Sequence, residues 1–341
     1  MYCKTIQERL LKIQKKKGTI NMEEQIQSAI TQTKQIIREV KKAVVGKDET
    51  VIKVLLAMLA GGHILIEDIP GVGKTTLALA ISKAMHLVHH RMQFTPDVMP
   101  ADVTGFTIYN KQTGSFDYKP GVVMCNLFLA DEINRTSSKT QSALLEVMEE
   151  GSVTIDGVTR VLPKPFLVIA TQNPIGSVGT QMLPESQLDR FMIKLNMGYP
   201  DLQSEVDILK ARHSENPIDH VHQVASAEDI VRLQRQTEQI YVDDRIYNYI
   251  ASLAQATRQH QMLRLGISPR GTLALTAAAK ATALLRGRDY VTSDDVRFML
   301  RDVFAHRLLL STKARMQEIT VEQVIGDVVR QVPVPVIGDE I

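Results

Sequence analysis

The sequence predicts an α/β fold in which a parallel sheet lies between two layers of helices, an αβα core, and is followed by a second, all-α domain. Apolar runs of strand length alternate with helical patterns up to Tyr199-Pro200, and only helical patterns follow. Such alternation is typical of a parallel sheet that is covered on both faces. The chain has 341 residues, which allows about two domains at roughly 150 residues each.

Three apolar runs and a fourth candidate segment are predicted to be the strands of the sheet. They are residues 64–66, 122–130, 166–171 and 193–197. Continuous runs, in contrast to alternating ones, indicate strands that are buried on both faces. Helical patterns from Met22 to Val40 and from Asp48 to Gly61 precede the first run, and a helix that begins at Lys74 follows it.

Two segments, within about 97–120 and 150–162, are predicted to be β-hairpin insertions into the core. In the first, alternating residues lie on either side of a turn at 111–114. In the second, Asp156-Gly157 separates two short runs, and Asp-Gly is among the strongest two-residue hairpin signals. Because an α/β core does not need such hairpins, we expect both of them to contact another molecule.

These patterns divide the chain into four regions. They are a basic N-terminal tail (1–22), the αβα core with its two hairpins (23–200), an all-helical domain (201–330) and an extended C-terminal tail (331–341). The helices predicted in the third region are 201–214, 226–239, 243–260, 271–286 and 293–304. The boundary lies near Pro200 because the strand patterns end there.

Composition excludes several classes of protein. An apolar content of 44% and a charged content of 23% are ordinary for a globular chain and exclude wholesale disorder. Two cysteines, Cys3 and Cys125, cannot build a disulfide framework, which fits a reducing compartment. Residues 1–17 are basic, but they lack the apolar stretch of a signal peptide, and no run of 18 apolar residues occurs. We therefore expect a cytoplasmic protein without membrane insertion.

The most informative segment is the turn between the first strand and its helix. Its two glycines let the backbone approach an anion closely, and the N-terminus of the following helix directs N–H groups toward it. The lysine supplies a charge for the β- and γ-phosphates, and the threonine hydroxyl after it can reach Mg²⁺. We therefore predict that ATP and Mg²⁺ bind here. The residues concerned are Pro70, Gly71, Val72, Gly73, Lys74, Thr75 and Thr76.

This loop departs from the strict phosphate-binding pattern at one position. The pattern has glycine five residues before Gly73, where this chain has Asp68. A carboxylate that faced a triphosphate would be repelled. We therefore expect the side chain of Asp68 to point away from the phosphates.

A second candidate site is the pair of adjacent acids, Asp131 and Glu132, that ends the apolar run 122–130. Ligands of α/β proteins bind at the edge where parallel strands end. We expect Asp131 to hold Mg²⁺ through water and Glu132 to polarise the attacking water as a general base. The alternative for Asp131 and Glu132 is an ordinary pair of surface acids. The alternative for the glycine loop is an ordinary strand–helix turn in which Lys74 is an exposed lysine.

Taken together, these motifs resemble the MoxR family of AAA+ ATPases, which belongs to the branch with an insert in helix 2. The resemblance rests on the glycine loop and on the runs Asp131-Glu132-Ile133-Asn134-Arg135, Ala170-Thr171-Gln172-Asn173-Pro174, Leu183 to Phe191 and Ser268-Pro269-Arg270. It covers about residues 24–336 and implies an AAA+ core followed by a helical lid. The family's loop resembles Glu-Asp-hydrophobic-Pro-Gly, which accommodates Asp68.

The resemblance also implies residue roles that spacing alone does not give. Asn173 matches the sensor 1 position, which orients the lytic water, and Arg190 matches the arginine finger that is supplied to a neighbouring subunit's nucleotide. Arg270 matches sensor 2, which reaches the phosphates from the lid, and Val45 and Gly46 match the segment that packs on adenine. The alternatives are a turn cap for Asn173 and a surface ion pair for either arginine.

Three charged residues near these motifs have less certain roles. Arg135 follows the acid pair closely enough to lie at a subunit interface, but a structural salt bridge explains it equally well. Glu149 and Glu150 end a helical pattern, and we expect both to lie on a solvated face.

The resemblance implies a ring, most simply a hexamer, that hydrolyses Mg-ATP and remodels protein clients like a chaperone, in the assembly of complexes or the insertion of a metal or cofactor. A partner with a von Willebrand factor A domain is implied as well. Two alternatives remain, a nucleic-acid-dependent motor and a nucleotide-dependent scaffold without turnover. The first hairpin carries only Lys111 and Lys119 against Asp117, which is sparse for a nucleic-acid channel, and Glu132 argues against the scaffold.

Overall fold

The computed structural model describes residues 24–69, 71–173, 183–214 and 216–335. A five-stranded sheet occupies the first part, and all of its neighbouring strands are parallel. Its strands are β1 (Ile64–Glu67), β2 (His89–Gln93), β5 (Leu127–Asp131), β8 (Leu167–Gln172) and β9 (Ile193–Leu195). They lie in the order β2-β5-β8-β1-β9, so the predicted αβα core is confirmed.

Helices cover both faces of this sheet and make up most of the chain after it. Those up to β9 are α1 (24–41), α2 (Asp48–Leu59), α3 (Lys74–Ala84), α4 (Pro100–Thr104), α5 (Ser138–Glu150) and α6 (Glu185–Leu188). Those after it are α7 (Leu202–Ser214), α8 (Ala227–Glu238), α9 (Asp244–Gln259), α10 (Pro269–Leu285), α11 (Ser293–Phe304), α12 (Thr312–Met316) and α13 (Val321–Gln331). Among the described residues, no helix is long and apolar enough to cross a membrane.

Side chains along the central strands alternate between two apolar clusters, one on each face of the sheet. On β5, Leu127 and Leu129 belong to one cluster, whereas Phe128 and Ala130 belong to the other. The first cluster continues through α2 and α3 into α8, α9, α10 and α11, and the second is covered by α5. A fully buried Leu or Phe side chain contributes about 1.5–3 kcal/mol, so this double core holds the sheet and the C-terminal helices together.

Both predicted hairpins are present. β3 (Gly105–Asn110) pairs with β4 (Ser115–Pro120), and β6 (Ser152–Ile155) pairs with β7 (Val158–Val161). Asp156 and Gly157 have φ of 52° and 75°, which is the backbone that a tight two-residue hairpin turn requires. The hairpins also touch each other, since the guanidinium of Arg160 lies 3.9 Å from the ring centre of Tyr118.

The structure corrects the strand and helix predictions at several places. β2 was not predicted, because its sequence His-His-Arg-Met-Gln is polar and it lies at the edge of the sheet, half-buried. The run 122–130 becomes a strand only from Leu127. After Pro200, short strands β10 (Leu263–Leu265) and β11 (Leu309–Leu310) form a pair, and they are too short to show a pattern. α12 and α13 were also missed.

Candidate functional site

The glycine loop connects β1 to α3 and has the backbone of an anion-binding turn. Gly71 and Gly73 have φ of 87° and 97°, which side chains other than glycine rarely adopt. Gly73 is the residue before the first turn of α3, where the first N–H groups of a helix have no partner within the helix. Pro70, also predicted to bind phosphate, lies outside the described residues.

Lys74 is held over this loop by the loop's own backbone. Its ammonium donates to the carbonyl oxygens of Asp68 at 3.1 Å and Ile69 at 3.0 Å. Thr75 and Thr76 follow in the first turn of α3, and both are half-buried. The loop residues that the sequence singles out therefore surround one end of a helix, where the amides, the positive end of the helix dipole and the ammonium all favour an anion.

Asp68 points away from this loop, as the sequence predicts. Its Oδ2 accepts hydrogen bonds of 2.6 Å from the N–H groups of both Met197 and Gly198, beyond the end of β9. Its Oδ1 accepts from the N–H of Ile69 at 2.9 Å. The carboxylate is buried and fastens the loop to the segment that leads into α7.

A cavity of about 360 Å³ lies beside the loop. Val45, Val72, Thr76, Tyr199 and Leu209 are among the residues that line it. Small-ligand pockets typically have volumes of about 300–1,000 Å³ and mostly apolar walls. The cavity therefore suits the base and sugar of a nucleotide whose phosphates lie on the loop.

Gly46 lies next to Val45 but packs against α7. A Cβ atom at this glycine would lie 2.2 Å from Oγ of Ser204. Its φ of 72° also favours glycine. Gly46 thus lets the turn after α1 approach α7 closely, and its contact with an adenine remains a prediction.

The acid pair lies where β5 ends, and a threonine on the neighbouring strand organises it. Asp131 is buried. Its Oδ1 accepts from the hydroxyl of Thr171 at 2.6 Å, and its Oδ2 accepts from Nη2 of Arg91 at 2.8 Å. The same hydroxyl oxygen of Thr171 accepts from the N–H of Glu132 at 2.9 Å. Both acids are therefore fixed relative to β8.

Glu132 has the left-handed backbone conformation, with φ of 54° and ψ of 50°. This conformation costs a non-glycine residue on the order of 1 kcal/mol, and such strain is often found at functional sites. Its carboxylate pairs with Nη1 of Arg135 at 2.9 Å. Arg135 thus forms a salt bridge, one of the two alternatives for it, and its partner is the predicted base.

The oxygen atoms at this edge fit Mg²⁺. This ion prefers oxygen ligands and is usually held by one or two carboxylates together with phosphate oxygens and water. An ionised carboxylate offers about four lone-pair sites, so Asp131 retains capacity beside its bonds to Thr171 and Arg91. Asp131 and the hydroxyl of Thr75 are the groups that would hold the ion next to a triphosphate.

Asn173 directly follows β8, at the same edge of the sheet. Since β8 lies between β5 and β1, Asn173 falls between the acid pair and the glycine loop. Its carbonyl oxygen accepts from Nδ2 of Asn134 at 3.4 Å. The strand ends are further joined by Glu67, which accepts from Gln172 at 2.7 Å and from Lys194 at 2.8 Å. We call this side, where the strands end, the loop edge.

The two predicted arginines lie at the opposite edge, where the strands begin, which we call the arginine edge. Arg190 precedes β9, and Arg270 lies in the first turn of α10. Nη1 of Arg190 is 2.7 Å from Oε2 of Glu149, and Nη2 of Arg270 donates to Oε1 of the same carboxylate. The expectation of a merely solvated Glu149 was therefore incomplete, although its side chain is 39% exposed. Glu150 is exposed, as predicted.

The length of α5 gives the separation of the two edges. This helix of 13 residues begins soon after Glu132 and ends at Glu150, so it spans about 20 Å at 1.5 Å per residue. His63, just before β1, contacts the carbonyl oxygen of Met148 at 2.9 Å, which fixes the far end of α5 at the arginine edge. Within one chain, Arg190 and Arg270 are not brought together with the loop.

A buried network fixes the segments that carry the two arginines. Arg307 donates to Oδ1 of Asp189 at 2.7 Å and to the carbonyl oxygen of Phe191 at 2.6 Å. Ser268, which caps α10 by accepting from the N–H of Gly271, donates to Oδ2 of Asp189 at 2.9 Å. Burial lowers the pKa of Arg307, and the contact with Asp189 opposes this shift. Asp189 thus joins the segment of Arg190 to that of Arg270.

Sequence reasoning assigned no role at these two edges to Thr171, Asp189, Arg91 and Arg307, and it placed Glu149 only on a solvated face. Thr171 carried a signal, since it is a polar residue in an apolar strand, and Asp189 is the direct neighbour of Arg190. Arg91 carried none, because its strand was not predicted. Glu149 is one of several acids in α5 and Arg307 one of many arginines, so only the folded structure reveals their contacts.

Comparisons with known proteins agree with this geometry. The family model described as "ATPase family associated with various cellular activities (AAA)" matches residues 63–193, and the model of an AAA lid domain matches residues 255–328. The chain is 48% identical to protein YeaC of Bacillus subtilis over 300 residues, which cover 88% of this chain and 94% of that protein. It is 42% identical to the chaperone MoxR1 of Mycobacterium tuberculosis over 308 residues, which cover 88% and 81%.

A solved structure extends the similarity to three dimensions. The crystal structure of a presumed ATPase of Cytophaga hutchinsonii superimposes with a TM-score of 0.86 at 36% identity, and the match covers 93% of this chain and 99% of that one. The chain thus has the fold of a known ATPase architecture over nearly its whole length, with an AAA domain followed by an AAA lid domain. The chain belongs to the MoxR family of AAA+ ATPases, and it hydrolyses ATP.

Proposed function

We propose that this ATPase hydrolyses Mg-ATP at a head-to-tail contact between copies of itself, in a closed and most simply hexameric ring, and that it acts as a chaperone-like remodelling factor. The observation that carries the proposal is the position of Arg190 and Arg270, which lie together at the edge opposite to Lys74 and Glu132. Charges separated by about 20 Å are largely screened at physiological salt. The arginines therefore cannot serve the phosphates on their own loop.

A neighbouring copy solves this problem. In a head-to-tail interface the arginine edge of one copy faces the loop edge of the next, and such an interface closes into a ring when its rotation fits. An arginine donated in this way contributes about 10³–10⁵ in rate. Arg190 would act as the finger and Arg270 as sensor 2, both on the neighbour's nucleotide.

The loop edge supplies the remaining groups. Lys74 and the amides of the loop would bind the phosphates. Thr75 and Asp131 would hold Mg²⁺, and the ion would supply positive charge next to the phosphate oxygens. Glu132 polarises the attacking water, and Asn173 orients it. Val45, which lines the cavity beside the loop, and the adjacent Gly46 would pack on the adenine.

The chaperone-like role is supported by one relative and by one surface. MoxR1 is named a chaperone. In this chain the first hairpin exposes aromatic side chains, with Phe116 72% exposed and Tyr109 53% exposed, and exposed apolar groups are typical of surfaces that contact other proteins. The client would be a protein complex that is assembled or receives a metal or cofactor, and a partner with a von Willebrand factor A domain would assist.

A mixing experiment tests the shared site. Arg190→Ala lacks the finger but has an intact loop edge, whereas Glu132→Gln lacks the base but has an intact arginine edge. Each variant alone should release little phosphate from ATP. Randomly mixed rings should recover about one quarter of the sites, since half of the loop edges and half of the fingers are intact. Full activity of Arg190→Ala alone, or no recovery on mixing, would contradict the shared site.

The client is tested by trapping. Glu132→Gln should bind ATP without cutting it, so a client should stay attached in ATP and leave in ADP. Lys74→Ala, which should not bind ATP, is the matched control. Identical sets of co-purified proteins for the two variants would rule out an ATP-dependent client.

A further inference from the structure

One side chain at the arginine edge contacts both predicted arginines. We infer that Glu149 is a positioning residue for ATP hydrolysis, because its carboxylate holds Arg190 and Arg270 together as a pair that receives the triphosphate of a neighbouring copy. This inference rests on the shared site proposed above, and it assigns a role to a residue that no motif identifies.

The contacts divide the carboxylate between the two arginines. Oε2 of Glu149 is 2.7 Å from Nη1 of Arg190, and Oε1 accepts from Nη2 of Arg270. Nη1 of Arg190 also donates to the carbonyl oxygen of Leu145 at 2.9 Å. Each oxygen thus serves one guanidinium, so the spacing of the two arginines is set by a single planar group.

Both guanidiniums keep donors for a phosphate. A guanidinium has five N–H groups. Within the described part of the chain, the bonds of Arg190 use only Nη1 and those of Arg270 use only Nη2. The two side chains are 32% and 43% exposed, and a cavity of about 330 Å³ opens beside them and Glu149. An anion can therefore reach both arginines without displacing the carboxylate.

Charge explains why a carboxylate is needed here. If the side chain of Glu149 were neutral, the guanidiniums of Arg190 and Arg270 would repel each other and move apart. With Glu149 ionised, the three groups still carry one net positive charge, which attracts phosphate. Arginine suits this role because its planar fork binds two phosphate oxygens at once.

Glu149 is itself held firmly. The preceding carbonyl oxygen, that of Met148, contacts His63 at 2.9 Å, and Gly151 ends α5 in the left-handed conformation. Asp189 brings the two arginine-bearing segments together through Arg307 and Ser268. The backbone network thus sets where the two segments lie, and Glu149 sets where their guanidiniums lie.

The test replaces Glu149 by its neutral isostere and uses the exposed neighbour as the matched control. At saturating protein and ATP, Glu149→Gln should lower kcat about 10- to 100-fold, as expected when catalytic groups are displaced by about 1 Å, while the KM for ATP changes far less. Glu150→Gln should match the wild type in both constants. A wild-type kcat for Glu149→Gln would overturn the inference.

A protein that lacks both arginines distinguishes a role of Glu149 in positioning them from a role in attaching the lid to the core. If Glu149 acts through the two arginines, Glu149→Gln should have little further effect on residual turnover once both Arg190→Ala and Arg270→Ala are present. The same fold-loss in that background would show a purely structural role and overturn the inference. If Glu149→Gln fails to fold, Glu149→Asp takes its place. This variant keeps the charge, but its side chain is too short to reach both arginines, so it should lower kcat in the same way. A wild-type kcat in Glu149→Asp would overturn the inference.

The two proposals fail in different ways. If mixing Arg190→Ala with Glu132→Gln restores turnover but Glu149→Gln matches the wild type, the shared site stands and Glu149 has no positioning role. If mixing restores nothing, the shared site fails, and the inference about Glu149 falls with it.

Discussion

Lys74 at the loop edge and Arg270 at the arginine edge are held by contacts of very different range along the chain. Lys74 bonds to carbonyl groups that are five and six residues away. Arg270 bonds to Glu149, which is 121 residues away, and Arg307 bonds to Asp189, which is 118 residues away. The ammonium of Lys74 is thus held within one strand–loop–helix unit, although Asp68 also ties this unit to Met197 and Gly198. The contact of Arg270 with Glu149, in contrast, forms only when the lid is packed on the core.

This difference indicates where the molecule can respond to its nucleotide. A small rotation of the lid would separate Arg270 from Arg190 and Glu149 but would leave Lys74 and its loop intact. Under the proposed arrangement, loss of the γ-phosphate on one copy releases the arginines of its neighbour, so the lid that is freed to move belongs to the next copy. Hydrolysis in one subunit would thereby change the conformation of another.

The largest effect is expected from substitutions that remove catalytic groups at the loop edge and leave the arginine edge unchanged. Lys74→Ala should abolish ATP binding, and Glu132→Gln should keep binding but lower turnover by about 10³-fold or more, because the attacking water is no longer polarised. Phosphate release and nucleotide binding measured side by side separate the two variants.

The control for this pair is Glu146→Gln, an exposed acid on α5, which should match the wild type. The thermal midpoints of all three variants should stay close together, because neither Lys74 nor Glu132 contacts the buried network of Asp189 and Arg307. Equal turnover in the wild type, Lys74→Ala and Glu132→Gln would show that ATP is not hydrolysed at the loop edge.

The loop edge was largely predictable from the sequence because its signals are local. Gly73 and Lys74 are adjacent, and Asp131 and Glu132 end an apolar run, so strand ends and helix starts alone bring these groups to one edge. Even the direction of Asp68 followed from charge repulsion. Its partners at Met197 and Gly198 did not, since backbone amides leave no signal in a sequence.

The arginine edge was predictable only in part. The resemblance to a family pointed to Arg190 and Arg270, but their distance from the loop depends on the course of α5 and on the docking of α10. Nothing in the sequence distinguishes Glu149 from Glu146 or Glu150. β2, a polar edge strand, was missed for a related reason: its conformation is stabilised by pairing with β5 and not by an apolar pattern of its own.

The smallest expected effect concerns the pH dependence of stability, through a histidine at the arginine edge. His63 is buried just before β1, where its Nε2 donates to the carbonyl oxygen of Met148 and its Nδ1 accepts from the N–H of Val168 at 3.0 Å. This arrangement requires the neutral ring, because a proton on Nδ1 would face the N–H of Val168. Burial lowers the pKa of His63 from 6.5 to about 4.

Protonation therefore favours the unfolded chain. Between pH 6.5 and pH 4 the unfolded state binds a proton at this residue and the folded state does not, so this contribution to stability is complete above pH 6.5 and is lost as the pH falls toward 4. The loss amounts to about 3 kcal/mol in the free energy of unfolding. His306, whose pKa is also lowered by burial, adds to the slope in the same direction.

Denaturant unfolding at a series of pH values between 7 and 4.5 measures this contribution as a difference between proteins. His63→Gln should be less stable at pH 7 but should lose less stability on acidification than the wild type, because glutamine does not titrate. His222→Gln, a replacement at an exposed position, should keep the wild-type slope. His63 holds the end of α5 that carries Glu149. If unfolding free energy depends on pH equally in His63→Gln and in the wild type, the neutral form of His63 is not needed to anchor the arginine edge. If the slope is shallower in His63→Gln but unchanged in His222→Gln, His63 at the arginine edge accounts for that part of the acid sensitivity of the fold.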